Sequence, residues 1–335
     1  MNFKDAANSS AQRFPLAFVV VAVVIVAALA VGATATYYQI KNQAPQGTIS
    51  VIDDAGRNVS VNGQPQRIVV LSPSVMDILY RLGLRSHVVA TDCGTTPEGG
   101  RLGDYTPAQV QMWNLSVLAC ITWSGSLDIQ SIVALNPDLV IGASGVNVAS
   151  LDTLSTTDHI PSLYLNPATL LGIFYDVEIV GKLTQTTSQA DNVVASMTQS
   201  LASDESNLTT ASAPSVLVTY YDDSSGYWTF GAGSFGNDLV VQAKAVSISA
   251  NDSIAEPEIS GSYVLAANPD YIVVGTGFGL NVSAYSAGQD WSSLGAVQAG
   301  HVCGIDVTLL TEPDPSMVFG VNTLIQLLHP DLSPQ

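Results

Sequence analysis

The stretch Ala134-Leu135-Asn136-Pro137-Asp138-Leu139-Val140-Ile141-Gly142 is echoed 132 residues later by Ala266-Ala267-Asn268-Pro269-Asp270-Tyr271-Ile272-Val273-Val274-Gly275. In each copy the proline, which has no backbone N–H to donate, stops a helix. The aspartate then opens an apolar run of the kind that forms a strand buried on both faces. So long a period excludes a short-repeat solenoid. It predicts two similar α/β lobes, residues 48–165 and 213–335, joined by residues 166–212.

The first lobe reads as strands alternating with helices, the pattern of a parallel sheet. Thr48 to Ile52 and Asn58 to Val61 alternate β-branched and polar residues around Asp53-Asp54-Ala55-Gly56-Arg57, which predicts a hairpin. Arg67 to Leu71 reads as a buried strand, Ser72-Pro73-Ser74 as the start of a helix that Gly83 ends, and Val88-Val89-Ala90 as a further strand. In the joining segment Ile173, Val177, Val180, Leu183, Ala190, Val194, Met197 and Leu201 recur at helical steps. A helix unbroken from Thr169 to Leu201 would span about 50 Å. Gly181 and the Thr-rich stretch from Thr184 to Ser188 mark where a bend or break would fall. A rigid bridge between two α/β lobes leaves a cleft, a common place for a small-molecule site.

Charge narrows the partners. The chain of 335 residues carries 28 acidic and 10 basic residues, a net charge of −18. Nucleic-acid binding needs Lys and Arg to displace counterions, and this balance argues against it. Beyond Arg101 only Lys182 and Lys244 remain, so the second lobe has no basic cluster to grip an anion. Charged residues are only 11% of the chain, which is not the carboxylate-dense surface of a salt-adapted protein.

From Phe14 to Ala33 no residue is charged. Twenty such residues span about 30 Å as a helix, the thickness of a hydrocarbon core. Lys4 and Arg13 before the run favour a cytoplasmic tail, residues 1–13, and Tyr37 and Tyr38 follow it as interfacial aromatics. Residues 14–38 thus read as a transmembrane anchor or, with Ala33-Thr34-Ala35 as an A-x-A site, a cleaved signal segment. A polar linker, residues 39–47, leads to the lobes. Either reading puts the functional part outside the cytoplasm, and the anchored one makes this a single-pass protein of the cell membrane. Five N-x-[ST] sequons, at Asn58, Asn114, Asn207, Asn251 and Asn281, lie beyond the run. Cys93 and Cys120 are placed to close a disulfide in an oxidising compartment, and three separate thiols with Cys303 is the other reading.

Asp53-Asp54-Ala55-Gly56-Arg57, Pro65-Gln66-Arg67-Ile68-Val69 and Ser72-Pro73-Ser74 together resemble the opening of the iron-siderophore and vitamin B12 solute-binding proteins of ABC importers. The resemblance continues, in order, through Ile78 to Leu84, Ala134 to Val140, Ile179 to Leu183 and Leu327-Leu328-His329-Pro330. It implies an α/β fold of two Rossmann-like lobes on a long backbone helix, here preceded by one N-terminal transmembrane helix. It also implies a chelate-type ligand in the cleft and docking to the importer's membrane subunits. Receptors of this kind usually present one surface Glu per lobe to those subunits. Here the matching positions hold Gln130 and Ser262, with Asp128 and Glu258 nearby, which puts docking of the usual kind in doubt. The segment from Gly99 to Cys120 is longer than the family leads one to expect, and Thr311 to Ser316 stands where an Arg often occurs.

Open α/β sheets bind ligands beyond the C-terminal ends of their strands. That rule selects Ser72 and Ser74, Asp92, Tyr220, Tyr227, Trp228 and Phe278 as ligand-binding candidates. Trp123 falls where the family often has a ligand-facing aromatic, and the rings suit stacking against a planar or corrin-like ligand. The plainer roles are N-capping for the serines and packing under a loop for Trp123. The shortage of cations favours cobalamin over a strongly anionic ferric siderophore. His87, His159, His301 and His329 do not share a ligand spacing, so no metal site is expected, and no resident cofactor. The Gly-rich run Phe230 to Gly236 lacks the P-loop lysine, and no G-x-S-x-G is present, so the chain is not expected to be an enzyme. The competing readings are a surface sensor or interaction module with the same fold, and a reductase using Cys93 or Cys120.

Overall fold

Ile68, Val69, Val70 and Leu71 form a strand with every side chain buried, and the first sheet is built around it. The computed structural model describes residues 47–92, 105–121, 127–208, 212–223, 225–277, 279–287 and 291–332. The chain divides into two units, Met1–Gly47 and Thr48–Gln335. The apolar run from Phe14 to Ala33 lies outside the described residues, and among those described no helix is long and apolar enough to cross a membrane.

A hairpin, β1 (Thr48–Ile52) and β2 (Asn58–Asn62), precedes the sheet. Strand β3 (Ile68–Leu71) then lies between β4 (Val88–Asp92) and β6 (Leu139–Ala143), with β5 (Ala119–Ile121) and β7 (Ser162–Leu165) at the edges. The order β5-β4-β3-β6-β7 is parallel throughout. Four helices punctuate these strands: α1 (Pro73–Arg81), α2 (Pro107–Met112), α3 (Ile129–Ala134) and α4 (Val148–Thr156). The two-residue period of a strand sends Ile68 and Val70 to one face, under Val75, Met76 and Leu79 of α1. It sends Val69 and Leu71 to the other, under Ile132 of α3 and Leu151 of α4.

The expected helical bridge forms, but as two helices, α5 (Leu170–Leu183) and α6 (Thr187–Asn207). The Thr184 hydroxyl donates to the Val180 carbonyl at 2.7 Å, Gln185 takes φ +59°, and the Thr186 N–H closes on the Gly181 carbonyl at 2.7 Å. These bonds end α5 as a helix C-terminus does. Ile173 lies in the second lobe's core, and Val177, Ile179, Val180 and Leu183 in the first's. Ala190 returns to the first core and Met197 to the second. The bridge is therefore a double pass between lobes, and no single 50 Å rod is present among the described residues.

The second sheet is smaller. Strands β8 (Ser215–Thr219), β11 (Val246–Ser247), β13 (Tyr271–Thr276) and β14 (Val302–Asp306) pair in parallel in the order β11-β8-β13-β14. A short antiparallel sheet of β9 (Tyr221–Asp222), β10 (Tyr227–Trp228) and β12 (Glu258–Ile259) follows β8 directly. The helices of this lobe are α7 (Phe235–Gln242), α8 (Gly261–Ala267), α9 (Val282–Ala287), α10 (Gly295–Ala299), α11 (Thr308–Thr311) and α12 (Met317–Leu328). Val216, Val218 and Val273 pack under α7 and α12, while Leu217, Ile272 and Val274 pack against α8, α9 and α10.

The repeated Asn-Pro-Asp has the same mechanics in both lobes. Asn136 and Asn268 take the left-handed conformation, φ +48° and +44°, that ends a helix. The Asp138 carboxylate then accepts from the backbone N–H groups of Gln66 and Arg67, at 2.7 and 2.9 Å. Asp270 accepts from the N–H and hydroxyl of Ser215, at 2.8 and 2.7 Å, and these bonds hold its carboxyl below the usual range. Each aspartate ties the start of its own strand to the start of the neighbouring central strand, β3 in one lobe and β8 in the other.

Candidate functional site

Strand order locates the site. In the first sheet the chain runs outward from β3 to β5, then returns to β6 on the other side of β3. In the second, β11 and β13 lie on opposite sides of β8. Connections that part in opposite directions leave a crevice at the strand C-termini, beyond Leu71 and Ala143 in one lobe and beyond Thr219 and Thr276 in the other.

Ser72 and Ser74 stand at the first crevice, on the opening turn of α1. Their hydroxyls bond each other at 2.8 Å, and Ser72 makes no side-chain cap, so N-capping is not their role. Asp92 ends β4 and is 1% exposed. Beside it Thr91 bonds the hydroxyl of Tyr105, a fully buried ring set edge-on to Trp113 at 6.1 Å. Burial first, and then the charges of Asp92 and Glu312, push the Tyr105 hydroxyl well above its ordinary range, so it stays protonated as a donor. On α2, Gln109 completes a capping box with Thr106 and donates from Nε2 to Glu312 Oε2 at 3.0 Å. Glu312 follows α11, so this bond joins the two lobes directly.

The seam continues through Asp77 and Asp314. Asp77 is bonded by Arg81 at 2.5 Å, and Asp314 accepts from the N–H and hydroxyl of Ser316 at 2.7 and 2.5 Å. Asp314 is pushed well up by burial and by the charges of Asp77 and Glu312. Tyr105, Gln109 and Asp77 carry no site signal in the sequence, and Glu312 and Asp314 stand out there only within the segment Thr311 to Ser316. Only the Thr-x-x-Gln spacing of the capping box gave a local signal; the others are brought together by long-range packing.

In the second lobe Tyr220 is half-buried and stacks on Phe230 at 4.8 Å. Burial and the nearby Glu256 raise its hydroxyl, so it too remains a donor. Tyr227 turns toward the core, 4.8 Å from Trp291 and 6.0 Å from Tyr285. Tyr285 donates to Asp222 at 2.6 Å. Trp228 is half-buried, and its indole N–H is enclosed without a hydrogen-bond partner. Trp123 and Phe278 lie outside the described residues. Tyr220 therefore follows β8 directly and Trp228 lies on the neighbouring β10, beside Tyr227, which packs toward the core.

Gln130 is exposed on α3 and Ser262 on α8, the helices that precede the repeated strands β6 and β13. Cys120 is disulfide-bonded and Cys303 is free; the third cysteine, Cys93, lies outside the described residues. His87, His301 and His329 each bond a backbone carbonyl, of Pro65, Asp270 and Ala243. Among the described residues no group of three or more His, Cys, Asp or Glu is placed to hold a metal.

Residues 68–308 match the family model described as periplasmic binding protein. An uncharacterized ABC transporter substrate-binding lipoprotein of Bacillus subtilis is 26% identical, over 84% of this chain and 86% of its own length. A cobalamin-binding protein of Halobacterium salinarum is 23% identical, over 83% and 73%. Among solved structures, the periplasmic vitamin B12 binding protein of Vibrio cholerae superposes with a TM-score of 0.64 at 20% identity, covering 81% of this chain and 99% of that one. A protein of an Fe3+-hydroxamate transport system from Saccharomonospora viridis gives 0.67 at 21%, covering 84% and 99%.

Proposed function

The chain belongs to the periplasmic binding protein family, and from that premise we propose that it is the extracytoplasmic receptor of an ABC importer for a cobalamin-like corrinoid. Residues 14–38 would tether it to the cell membrane, keeping receptor and importer at high effective concentration. The ligand would lie between the lobes, over Ser72, Ser74 and Asp92 on one side and Tyr220 and Trp228 on the other; Trp123 and Phe278 remain candidates from the sequence alone. The importer's membrane subunits would dock on the faces that carry Gln130 and Ser262.

One observation carries the choice of ligand. Among the described residues, strands β4 and β14 end in Asp92 and Asp306, Tyr220 follows β8 and Glu312 follows α11, and no strand of either parallel sheet ends in Lys or Arg. A polyanionic ferric chelate placed there meets like charge without a counter-ion, whereas a neutral or cationic corrin meets aromatic faces and hydroxyl donors. The test is equilibrium dialysis of the full chain in nanodiscs against cyanocobalamin, read by corrin absorbance, with ferric hydroxamate and catecholate chelates in parallel. Saturable corrinoid binding that weakens in Trp228→Ala or Trp123→Ala is the expected result. Preference for the trianionic catecholate would overturn it.

A second reading, a surface sensor without transport, is favoured by Gln130 and Ser262 standing where acidic residues usually meet the importer. Failure of the intact, ligand-saturated protein to retain any importer membrane subunit from its own membranes would favour the sensor.

A further inference from the structure

A cavity of about 480 Å³ opens along the bridge helix α6. Gln189, Asn192, Val193, Ser196, Met197 and Ser200 line it at positions i, i+3, i+4, i+7, i+8 and i+11, one continuous face of α6. The first lobe contributes Arg81 from the end of α1, and the second contributes Pro315 just before α12 and Val318 and Phe319 from its first turn. No residue of the proposed corrinoid site lines it, and it is too small for a corrin.

Its lining has a definite chemistry. Val193, Met197, Pro315 and Val318 make an apolar floor of buried and half-buried side chains. Phe319 stands at the rim 54% exposed, an aromatic face open to an occupant of the cavity. The polar rim is neutral except for Arg81. That guanidinium spends its Nε edge on Asp77, and its side chain is 31% exposed. Its terminal nitrogens have no hydrogen bond among the described residues, which leaves donors in a fork suited to a carboxylate. In a chain of net charge −18, a cation with spare donors over an apolar floor is a selective feature.

We propose that this cavity is a second small-molecule site, for an aromatic monocarboxylate whose carboxylate meets Arg81 and whose ring lies between Phe319 and the Val193–Met197 floor. Gln189 and Asn192 offer carboxamides to a ring substituent. The occupant touches both lobes and the helix joining them.

The test uses 4-fluorobenzoate as probe and the fluorine NMR line width as readout, on the full chain in nanodiscs with empty nanodiscs subtracted. Saturable broadening is expected, and the neutral isostere 4-fluorobenzamide should bind about tenfold more weakly, as loss of a charge-assisted bond implies. Ser196→Trp fills the cavity from an exposed helical position, leaves the Arg81–Asp77 pair intact, and should abolish the broadening. Arg81→Met should weaken binding by about the same tenfold factor. Because it strips Asp77 of its partner, the Ser196 variant is the deciding one. No saturable broadening, broadening that survives Ser196→Trp, or equal binding of acid and amide would each overturn the proposal.

Discussion

Gln109 and Glu312, 203 residues apart in sequence, are joined by a 3.0 Å hydrogen bond from the carboxamide of one lobe to the carboxylate of the other. The carboxylate also faces the buried Tyr105 and Asp314, both of which its charge pushes upward. A bond that spans the seam resists relative motion of the lobes, so its loss should appear in stability as a coupled term. Gln109→Ala and Glu312→Ala should each destabilise by about 1 kcal/mol, with a coupling energy in the double variant of about 0.5–1.5 kcal/mol. Urea unfolding of the four proteins measures it. A coupling of zero would mean that the contact does not hold the lobes.

Asp176 predicts a pH dependence. Its carboxyl lies on α5, 1% exposed, with Oδ1 enclosed and without a hydrogen-bond partner. Burial first, then the charge of Asp54 and a hydrogen bond to it, raise its pKa to about 9 from 3.8. The folded protein thus holds a proton here at neutral pH that the unfolded chain has lost. Its contribution is complete below 3.8 and declines as pH rises toward about 9. Asp176→Asn keeps a donor toward Asp54 and removes the titration. It should raise Tm, and by more at pH 8 than at pH 5. Parallel Tm curves for wild type and variant across that interval would refute the assignment.

How far the sequence carried depends on the range of the interactions. The Asn-Pro-Asp echo announced two related lobes because its ingredients are local: a left-handed Asn, a Pro that ends a helix, an Asp that opens a strand. What it could not announce is that Asp138 and Asp270 reach back to Gln66, Arg67 and Ser215. The periodic apolar positions of residues 169–201 were legible as helix. The break was legible only as a weakness, because a hydroxyl ends a helix when its rotamer and the next φ agree, as at Thr184 and Gln185. That Ser72 and Tyr220 directly follow strands was readable from the sequence, as β3 and β8 place them. The meeting of Tyr105, Gln109 and Glu312 was not, since only tertiary packing turns residues from three loops and helices into one seam.

Among the described residues, the hairpin carries the most densely bonded ion pair. Asp53 accepts from the N–H groups of Ala55, Arg57 and Tyr164, at 3.1, 2.8 and 3.1 Å, and from both Nε and Nη2 of Arg57, at 2.9 and 2.6 Å. Its side chain is wholly buried, and Arg57 also reaches Asp152 at 2.9 Å. Removing one partner of such a pair leaves a buried charge or a set of buried donors unanswered. Asp53→Ala should cost about 3–5 kcal/mol. Asp152→Ala, whose partner bond is at the surface, should cost less than about 1 kcal/mol. Denaturant unfolding separates the two, and equal losses would contradict the burial argument.

The double pass of the bridge rests on Gly181. A β-carbon built there would lie 2.4 Å from the β-carbon of Ala190, far inside van der Waals contact, and both atoms belong to helical backbones that cannot step aside independently. Gly181→Ala should therefore push α6 off α5 and destabilise by about 1–3 kcal/mol, despite the better helix propensity of alanine. Ala190→Gly alone should cost about 1 kcal/mol of propensity. The two together exchange which helix carries the methyl group, so the double variant should be more stable than Gly181→Ala alone. If adding Ala190→Gly lowers stability further, the Gly181–Ala190 contact is not what sets the approach of the two helices.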